Sequence, residues 1–153
     1  MEVKSTLKVI DAAGLKSHPG VCKGQTAKQL VGFAELPTDR IRASLTTYEA
    51  GSLEELHWHP IEAFYFVIAG HATVRDIEGG EHEVGPGSFI YAQPGIAGAH
   101  EWEVKESLTL IAVRATTEPN RKFQFTVDKK TKRSYIDLDE LARRGGVNFK
   151  SHY

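Results

Sequence analysis

Short stretches of extended-strand pattern recur along the middle of the chain. Residues 41–48 (IRASLTTY) alternate apolar and polar side chains with a period of two, as a half-buried β-strand does. Residues 57–68 are rich in aromatic and β-branched side chains and continue the β character up to Gly70. Further strands are predicted over residues 72–77, 88–92, 108–114 and 123–127.

Glycine-containing turns separate these predicted strands. The adjacent Gly79 and Gly80 predict a hairpin turn, because glycine admits the positive φ angles that such turns require. Residues 85–87 (GPG) predict a second tight turn, and residues 94–99 (PGIAGA) predict a loop. Many short strands separated by turns, with little helix, predict an all-β sandwich or closed barrel.

The two ends of the chain are less regular. The first 40 residues are predicted to form an irregular extension, with a strand over residues 30–34 and a loop over residues 16–23. Residues 137–144 predict a short C-terminal helix, capped by the side chain of Asp137 and ended by Gly145. No repeat or linker divides the chain, so we expect a single domain over residues 1–153 with its core at about 41–114. The strand and helix beyond that core form a C-terminal extension.

Composition narrows the classes of function. The chain has 153 residues with 19 basic and 20 acidic side chains, a balance that argues against affinity for nucleic acid. Its longest apolar run, Ala63 to Ala69, is far short of the ~18 residues that suggest a membrane span. The first residues (MEVK) lack the apolar segment of a secretory signal, and the single cysteine, Cys22, fits a reducing compartment. We therefore expect a cytoplasmic protein without membrane or nucleic-acid partners.

Two of the seven histidines, His57 and His59, are two residues apart. On a helix this spacing turns the side chains to different faces, whereas on a strand both project from the same face. Pro60 disfavours helix at the residue before it and supports the extended reading. The spacing therefore predicts two imidazoles on one strand face, a candidate metal-ligand pair that by itself is weak evidence for a metal.

The residues around this pair resemble the motifs of the cupin superfamily. The first cupin motif runs glycine, five residues, His-x-His, then a glutamate and a glycine, and its places are filled by Gly51, His57, His59 and Gly70. A second, looser motif is represented by Gly87, Pro94, Gly95 and His100. The resemblance covers roughly residues 41–114 and implies a cupin β-barrel of the RmlC-like, jelly-roll type. It also implies a homodimer formed through the sheets. Strand parity places Phe64, Phe66 and Ile68 on the face opposite the histidines, where they would pack against another sheet or a neighbouring subunit.

The chain departs from the cupin pattern at the glutamate ligand. Counting back from Gly70, the family's glutamate falls on Ala63. The neighbouring Glu62 would point to the opposite strand face, unless a bulge near Pro60 brings it back as a fourth ligand. The resemblance thus implies a three-histidine metal site of His57, His59 and His100, with Glu62 as the alternative addition.

Three neutral imidazoles would leave the full charge of a divalent ion uncompensated. Such a site suits iron, zinc, copper or nickel better than calcium or magnesium, and it should attract an anionic small-molecule substrate. Among cupins, three-histidine ferrous sites are associated with dioxygenases, so the resemblance implies an Fe(II) dioxygenase acting on a small enolisable or carboxylate substrate. Two other classes stay open: a non-redox isomerase or lyase using zinc, nickel or manganese, and a non-catalytic binding module.

Two further residues are candidates for substrate orientation. Strand parity places Tyr65 on the face of the two histidines, where its hydroxyl would bond a substrate or simply a core partner. Arg75 would bind the anionic substrate if it points into the barrel, and would pair with Asp76 at the surface if it points outward. In the dioxygenase hypothesis both Tyr65 and Arg75 orient the substrate.

Overall fold

The structure is a computed structural model that describes residues 2–115 and 124–134. Over these ranges the chain forms eleven β-strands and two short 3-10 turns, at Ala12–Gly14 and Ile96–Gly98. The strands build two antiparallel sheets whose inner faces enclose a shared core. The expected all-β fold is therefore confirmed. No helix in the described ranges has the length and apolar character needed to cross a membrane.

The larger sheet has six strands and the smaller sheet has five. In spatial order the larger sheet consists of β1 (Ser17–Pro19), β2 (Gln25–Val31), β3 (Ile41–Tyr48), β10 (Leu108–Ala115), β5 (Ala63–Ala69) and β8 (Phe89–Ala92). The smaller sheet consists of β11 (Phe125–Thr126), β4 (Leu53–Trp58), β9 (His100–Val104), β6 (Ala72–Asp76) and β7 (Glu81–Val84).

Alternation along the strands fills the space between the sheets. On β10, Leu108 and Leu110 point inward and are almost fully buried, and on β9 the same is true of Trp102 and Val104. Removing a leucine side chain from such a packed core costs about 2–5 kcal/mol, so these positions fix the sheets against each other. The histidine-bearing strands β4 and β9 are thereby held opposite β5 and β10.

Most predicted strands are present, with one instructive break. The strand predicted over residues 41–48 is β3, and the predicted hairpin joins β6 to β7 with Gly79 at a φ of 89°. The stretch 57–68 is not one strand, because β4 ends at Trp58 and β5 begins at Ala63. Pro60 lies in the connection, where its missing N–H needs no ladder partner. The two halves of this stretch belong to different sheets.

The N-terminal predictions were wrong in detail. The expected loop over residues 16–23 contains β1, and the strand expected over 30–34 begins earlier, as β2. β2 begins earlier because its backbone pairs with β3. This pairing makes the segment a strand, although its polar residues give only a weak β pattern. The helix predicted over 137–144 lies outside the described residues.

Gly70 makes the tight connection between the two sheets, from β5 to β6. Its φ of 86° lies in the left-handed region that favours glycine. A Cβ atom here would overlap the backbone carbonyl of Ser107 and lie 2.8 Å from the Cα of Leu108. The close approach of two backbones therefore requires glycine at this position.

We predict that Gly70→Ala lowers the free energy of unfolding by about 3 kcal/mol or more, because it combines left-handed strain with a backbone clash. Gly79→Ala is the matched control, since Gly79 has a φ of 89° and open space around it. That variant should lose only about 1–2 kcal/mol. Urea denaturation measures both, and equal losses would contradict the clash.

Candidate metal centre

Three buried histidines converge between the sheets. His57 on β4 and His100 on β9 are direct partners in the antiparallel ladder, and His59 follows the end of β4. Their exposed fractions are 1%, 4% and 2% respectively. The ring centroid of His57 lies 4.5 Å from that of His100 and 4.9 Å from that of His59. One candidate ligand atom from each lies within 4.8 Å of the others, so the structure brings together all three predicted ligands.

Backbone carbonyls fix which ring nitrogen of two histidines carries the proton. The Nδ1 atom of His57 lies 2.6 Å from the carbonyl oxygen of Glu55, and that of His100 lies 2.9 Å from the carbonyl oxygen of Gly98. Since a carbonyl oxygen only accepts, each Nδ1 is the donor and each Nε2 keeps its lone pair. This arrangement is typical of metal-binding histidines, whose second nitrogen donates to a neighbouring acceptor.

The surroundings also keep His100 neutral. Burial, followed by the nearby His57 ring, lowers its pKa to about 4, so the ring is uncharged at neutral pH. A neutral imidazole is the form that binds a metal ion. The three residues therefore fit a divalent ion held by nitrogen ligands.

Tyr65 contacts the histidines from the larger sheet. Its hydroxyl lies 3.2 Å from Nε2 of His100 and 3.4 Å from Nε2 of His59. The predicted proximity of Tyr65 to the histidines is thus observed, but the expected reason was wrong, because β5 faces the histidines from the opposite sheet. Burial raises the pKa of Tyr65, against the opposing effect of the Arg114 guanidinium. The side chain is therefore a phenol, able to donate a hydrogen bond.

A buried carboxylate that sequence reasoning missed lies beside the centre. The Oε1 atom of Glu54 lies 3.4 Å from Nε2 of His57, and its Oε2 accepts a hydrogen bond of 2.6 Å from Tyr48. Burial, followed by the nearby Glu54 carboxylate, raises the pKa of Tyr48 well above its usual value, so this hydroxyl remains a donor. Simple alternation from His57 would turn Glu54 outward. A register shift between Glu54 and His57 turns both side chains inward, and no pattern in the sequence predicts this shift.

Glu62, the alternative fourth ligand, lies apart from the histidines. Its carboxylate is exposed and accepts a hydrogen bond of 2.5 Å from the hydroxyl of Tyr91, itself on the outer face. Ala63, which occupies the place of the family's glutamate, is buried and faces inward. The connection through Pro60 therefore does not turn Glu62 toward the centre.

Arg75 is also absent from the centre, and here the expectation of an inward role must be corrected. Val74 packs in the core, so its neighbour Arg75 points to the outer face of the smaller sheet. There its guanidinium lies 2.8 Å from Glu81, 3.1 Å from Glu101 and 2.7 Å from Glu103. These carboxylates raise the pKa of Arg75 and hold it in a surface ion-pair network.

A different arginine, Arg114, lies beside Tyr65. It is the last inward-facing residue of the series Leu108, Leu110, Ala112 on β10, and it lines a cavity of about 180 Å³ together with Tyr48 and Tyr65. Sequence reasoning did not single it out, although the alternation over residues 108–114 places it on the core-facing side.

The chain is thus an all-β barrel of two sheets, with three inward histidines that could hold a metal ion. A family model described as Cupin domain matches residues 44–114, so the chain contains a cupin domain, as the motifs implied. The fold is similar to the polyketide cyclase RemF from Streptomyces resistomycificus, with 19% identity and a TM-score of 0.70 over 80% of this chain and 87% of that one.

Two further solved structures show the same fold. An RmlC-like cupin from Shewanella frigidimarina has 15% identity and a TM-score of 0.60, over 72% of this chain and 91% of that one. A sugar phosphate isomerase of the cupin superfamily from Silicibacter pomeroyi has 22% identity and a TM-score of 0.61, over 72% and 76%. Curated proteins give no match. At these identities the likeness establishes the fold, and the reaction must be argued from the site.

We predict that His57→Ala, purified from metal-replete medium, retains less than about a tenth of the wild-type metal content, because a ligand with a fixed orientation is lost. Elemental analysis measures the content, and circular dichroism checks the fold. Glu62→Ala is the control and should keep the wild-type content. Loss of metal in Glu62→Ala would instead identify Glu62 as a ligand.

Proposed function

We propose that this protein is a metal-dependent enzyme acting on a small molecule that carries a carbonyl group. The observation that carries the proposal is the convergence of three buried histidines, a buried hydroxyl and a buried carboxylate at one point between the sheets. Clustered buried polar groups are costly to a fold and are concentrated at functional sites.

In this proposal His57, His59 and His100 hold a divalent ion, with Fe(II) expected from the three-histidine set and zinc, nickel or manganese as alternatives. When bound, the ion supplies a Lewis acid that polarises a carbonyl oxygen. The carbonyls of Glu55 and Gly98 keep two of the rings in the orientation that binding requires.

Two residues of the chain are placed to handle protons. The Tyr65 hydroxyl faces the ligand nitrogens and can donate to an oxygen of the substrate. Glu54 faces the same space, and its Oε1 can accept a proton from a carbon next to the polarised carbonyl, while Tyr48 holds Oε2 in place. A carboxylate so placed supplies an acid–base group, which favours an enzyme over a non-catalytic binding module.

Proton transfer next to a carbonyl is the chemistry of isomerases and lyases, so the non-redox class is the first candidate. The names of two similar folds, a polyketide cyclase and a sugar phosphate isomerase, agree with it. Oxidative cleavage by an Fe(II) dioxygenase is the second candidate. It is favoured by the all-nitrogen ligand set, in which neither Glu62 nor an inward residue at position 63 supplies a carboxylate.

We predict that the metal-loaded protein exchanges the α-protons of pyruvate, acetoacetate or acetylacetone for deuterium, followed by NMR. Glu54→Gln should slow this exchange by about 10²–10⁴-fold while keeping its metal, because the proton acceptor is lost. Glu62→Gln, an exposed carboxylate of the same type, is the matched control. Unchanged exchange in Glu54→Gln would remove Glu54 from the reaction.

Oxygen uptake separates the two candidate reactions. The Fe(II) form is mixed with the same compounds in an oxygen electrode, with the zinc form as the control. Stoichiometric uptake by the iron form alone would establish the dioxygenase, and exchange without uptake would establish the non-redox enzyme. Neither activity in metal-loaded protein would contradict the enzyme proposal for this substrate class.

We also propose a homodimer. The outer face of β5 and the edge strand β8 expose an apolar patch of Phe66, Ile68 and Phe89, with Phe89 stacked on Phe64 at 5.2 Å between ring centroids. An exposed patch at a sheet edge is typical of a protein contact.

We propose a reducing compartment such as the cytoplasm, because the chain has a single cysteine and so no internal disulfide. Burial raises the pKa of this residue, Cys22, to about 11, which keeps it as an unreactive thiol.

We predict that light scattering gives twice the chain mass of 16.9 kDa for the wild type and a single chain mass for Phe89→Glu. A charge at the centre of an apolar contact leaves a buried, unpaired carboxylate in the dimer. Val9→Glu, at a more exposed apolar position away from the patch, should stay dimeric. A monomeric wild type would contradict the proposal.

A further inference from the structure

Two arginines lie side by side on the inner face of the larger sheet. Arg42 on β3 and Arg114 on β10 are direct partners in the antiparallel ladder, and both line the 180 Å³ cavity. Directly opposed side chains on one sheet face have Cβ atoms about 5 Å apart, and like charges in such pairs destabilise the sheet. An anion placed between the two guanidinium groups would be attracted by both of them.

In the part of the chain that the structure describes, the neighbours of Arg114 do not neutralise its charge. Among residues 2–115 and 124–134, no carboxylate lies within ion-pair distance of its guanidinium, and its buried Nε has no hydrogen-bond partner. Its electrostatic neighbour is the hydroxyl of Tyr65, a neutral group. Arg114 is half-buried, and a charge that is partly withdrawn from water is normally paired, so its guanidinium has capacity for an anion from outside the chain.

The rest of the cavity wall suits a polar occupant. It includes the hydroxyls of Ser44 and Thr46 and the amide of Gln29, all uncharged hydrogen-bonding groups. Arg42 lies with its guanidinium carbon 4.4 Å from the ring centroid of Phe33, a cation–π contact that orients its planar group. Two oriented guanidinium forks match the paired oxygens of a carboxylate or a phosphate.

Tyr65 joins this cavity to the metal centre. It lines the cavity beside Arg114, and its hydroxyl lies 3.2 Å from Nε2 of His100. The arginine pair and the histidines therefore lie on facing sheets with one tyrosine between them. A ligand that contacts both groups would therefore have to pass beside the Tyr65 side chain.

We propose that Arg114, with Arg42 opposite it, binds the oxyanion end of a small substrate whose carbonyl end lies at the three-histidine centre. The proposal deepens the proposed function and rests on it for the position of the reacting group. It assigns the substrate to the oxo acids or their phosphorylated analogues, and it makes Arg114 a specificity-determining residue in the place first considered for Arg75.

The test measures binding by isothermal titration calorimetry, in metal-loaded protein, of acetoacetate, its neutral methyl ester, pyruvate and inorganic phosphate. The wild type should bind at least one anion, and acetoacetate should bind about 10-fold to 100-fold more tightly than its ester, as expected for a charged hydrogen bond. Arg114→Gln should remove this preference. Arg114→Lys should retain part of it, because the charge remains without the fork.

Arg75→Gln is the matched control, since it removes the same charge from the outer face of the other sheet. It should bind the anions as the wild type does. If Arg114→Gln does not fold, as judged by circular dichroism, Arg42→Gln replaces it with the same expectation. Phosphate binding that depends on Arg114 while carboxylates fail would support the subsite and identify the phosphorylated class.

Two results would overturn the proposal: no binding of any anion by the wild type, or an unchanged preference in the folded arginine variants. Metal content is measured in every sample. Normal metal content with no anion binding would refute the subsite and leave the metal centre standing. Absent metal with Arg114-dependent anion binding would refute the proposed metalloenzyme and leave the subsite standing.

Discussion

The hydrogen bonds from Nδ1 of His57 and His100 to backbone carbonyls are the interactions on which the centre depends. They fix the ring orientation and the tautomer together, so that the lone pairs of Nε2 face the space between the sheets. The carbonyls belong to Glu55 and Gly98, two residues before each histidine, so the local backbone holds the rings before any ion binds. The direct pairing of His57 with His100 then sets the distance between them.

The interior distributes charge over both sheets. Glu54 supplies a negative charge at the histidines of the smaller sheet, and Arg42 and Arg114 supply positive charge on the larger sheet. Tyr65 lies between these groups and contacts the histidines, while Tyr48 holds Glu54. Glu54 is buried and the two arginines are half-buried, so water screens these charges less than it would at the surface. A divalent ion and an anionic substrate would each find complementary charge.

Much of the fold and the ligand set could be predicted from the sequence, because short-range pattern carries them. Alternation located β3 and β6, and the spacing of His57 and His59 predicted a ligand pair. The resemblance to the cupin motifs added His100 to that pair. The register shift that turns Glu54 inward could not be predicted, since a bulge depends on pairing with a distant strand. The same holds for the break at Pro60, which moved Tyr65 to the facing sheet and so changed the reason for its proximity.

Arg75 and Arg114 show how strand position decides the role of one residue type. Both lie near the end of a strand, but Arg75 follows the buried Val74, whereas Arg114 keeps the parity of Leu110 and Ala112. Arg75 therefore pairs with glutamates of the neighbouring strands on the outer face of its sheet, and its charge is neutralised within the protein. Arg114 lies beside an arginine and a tyrosine inside the barrel, and no carboxylate in residues 2–115 and 124–134 pairs with it. In the subsite that we propose, an anionic ligand would neutralise this charge, as Glu81 and Glu103 neutralise that of Arg75.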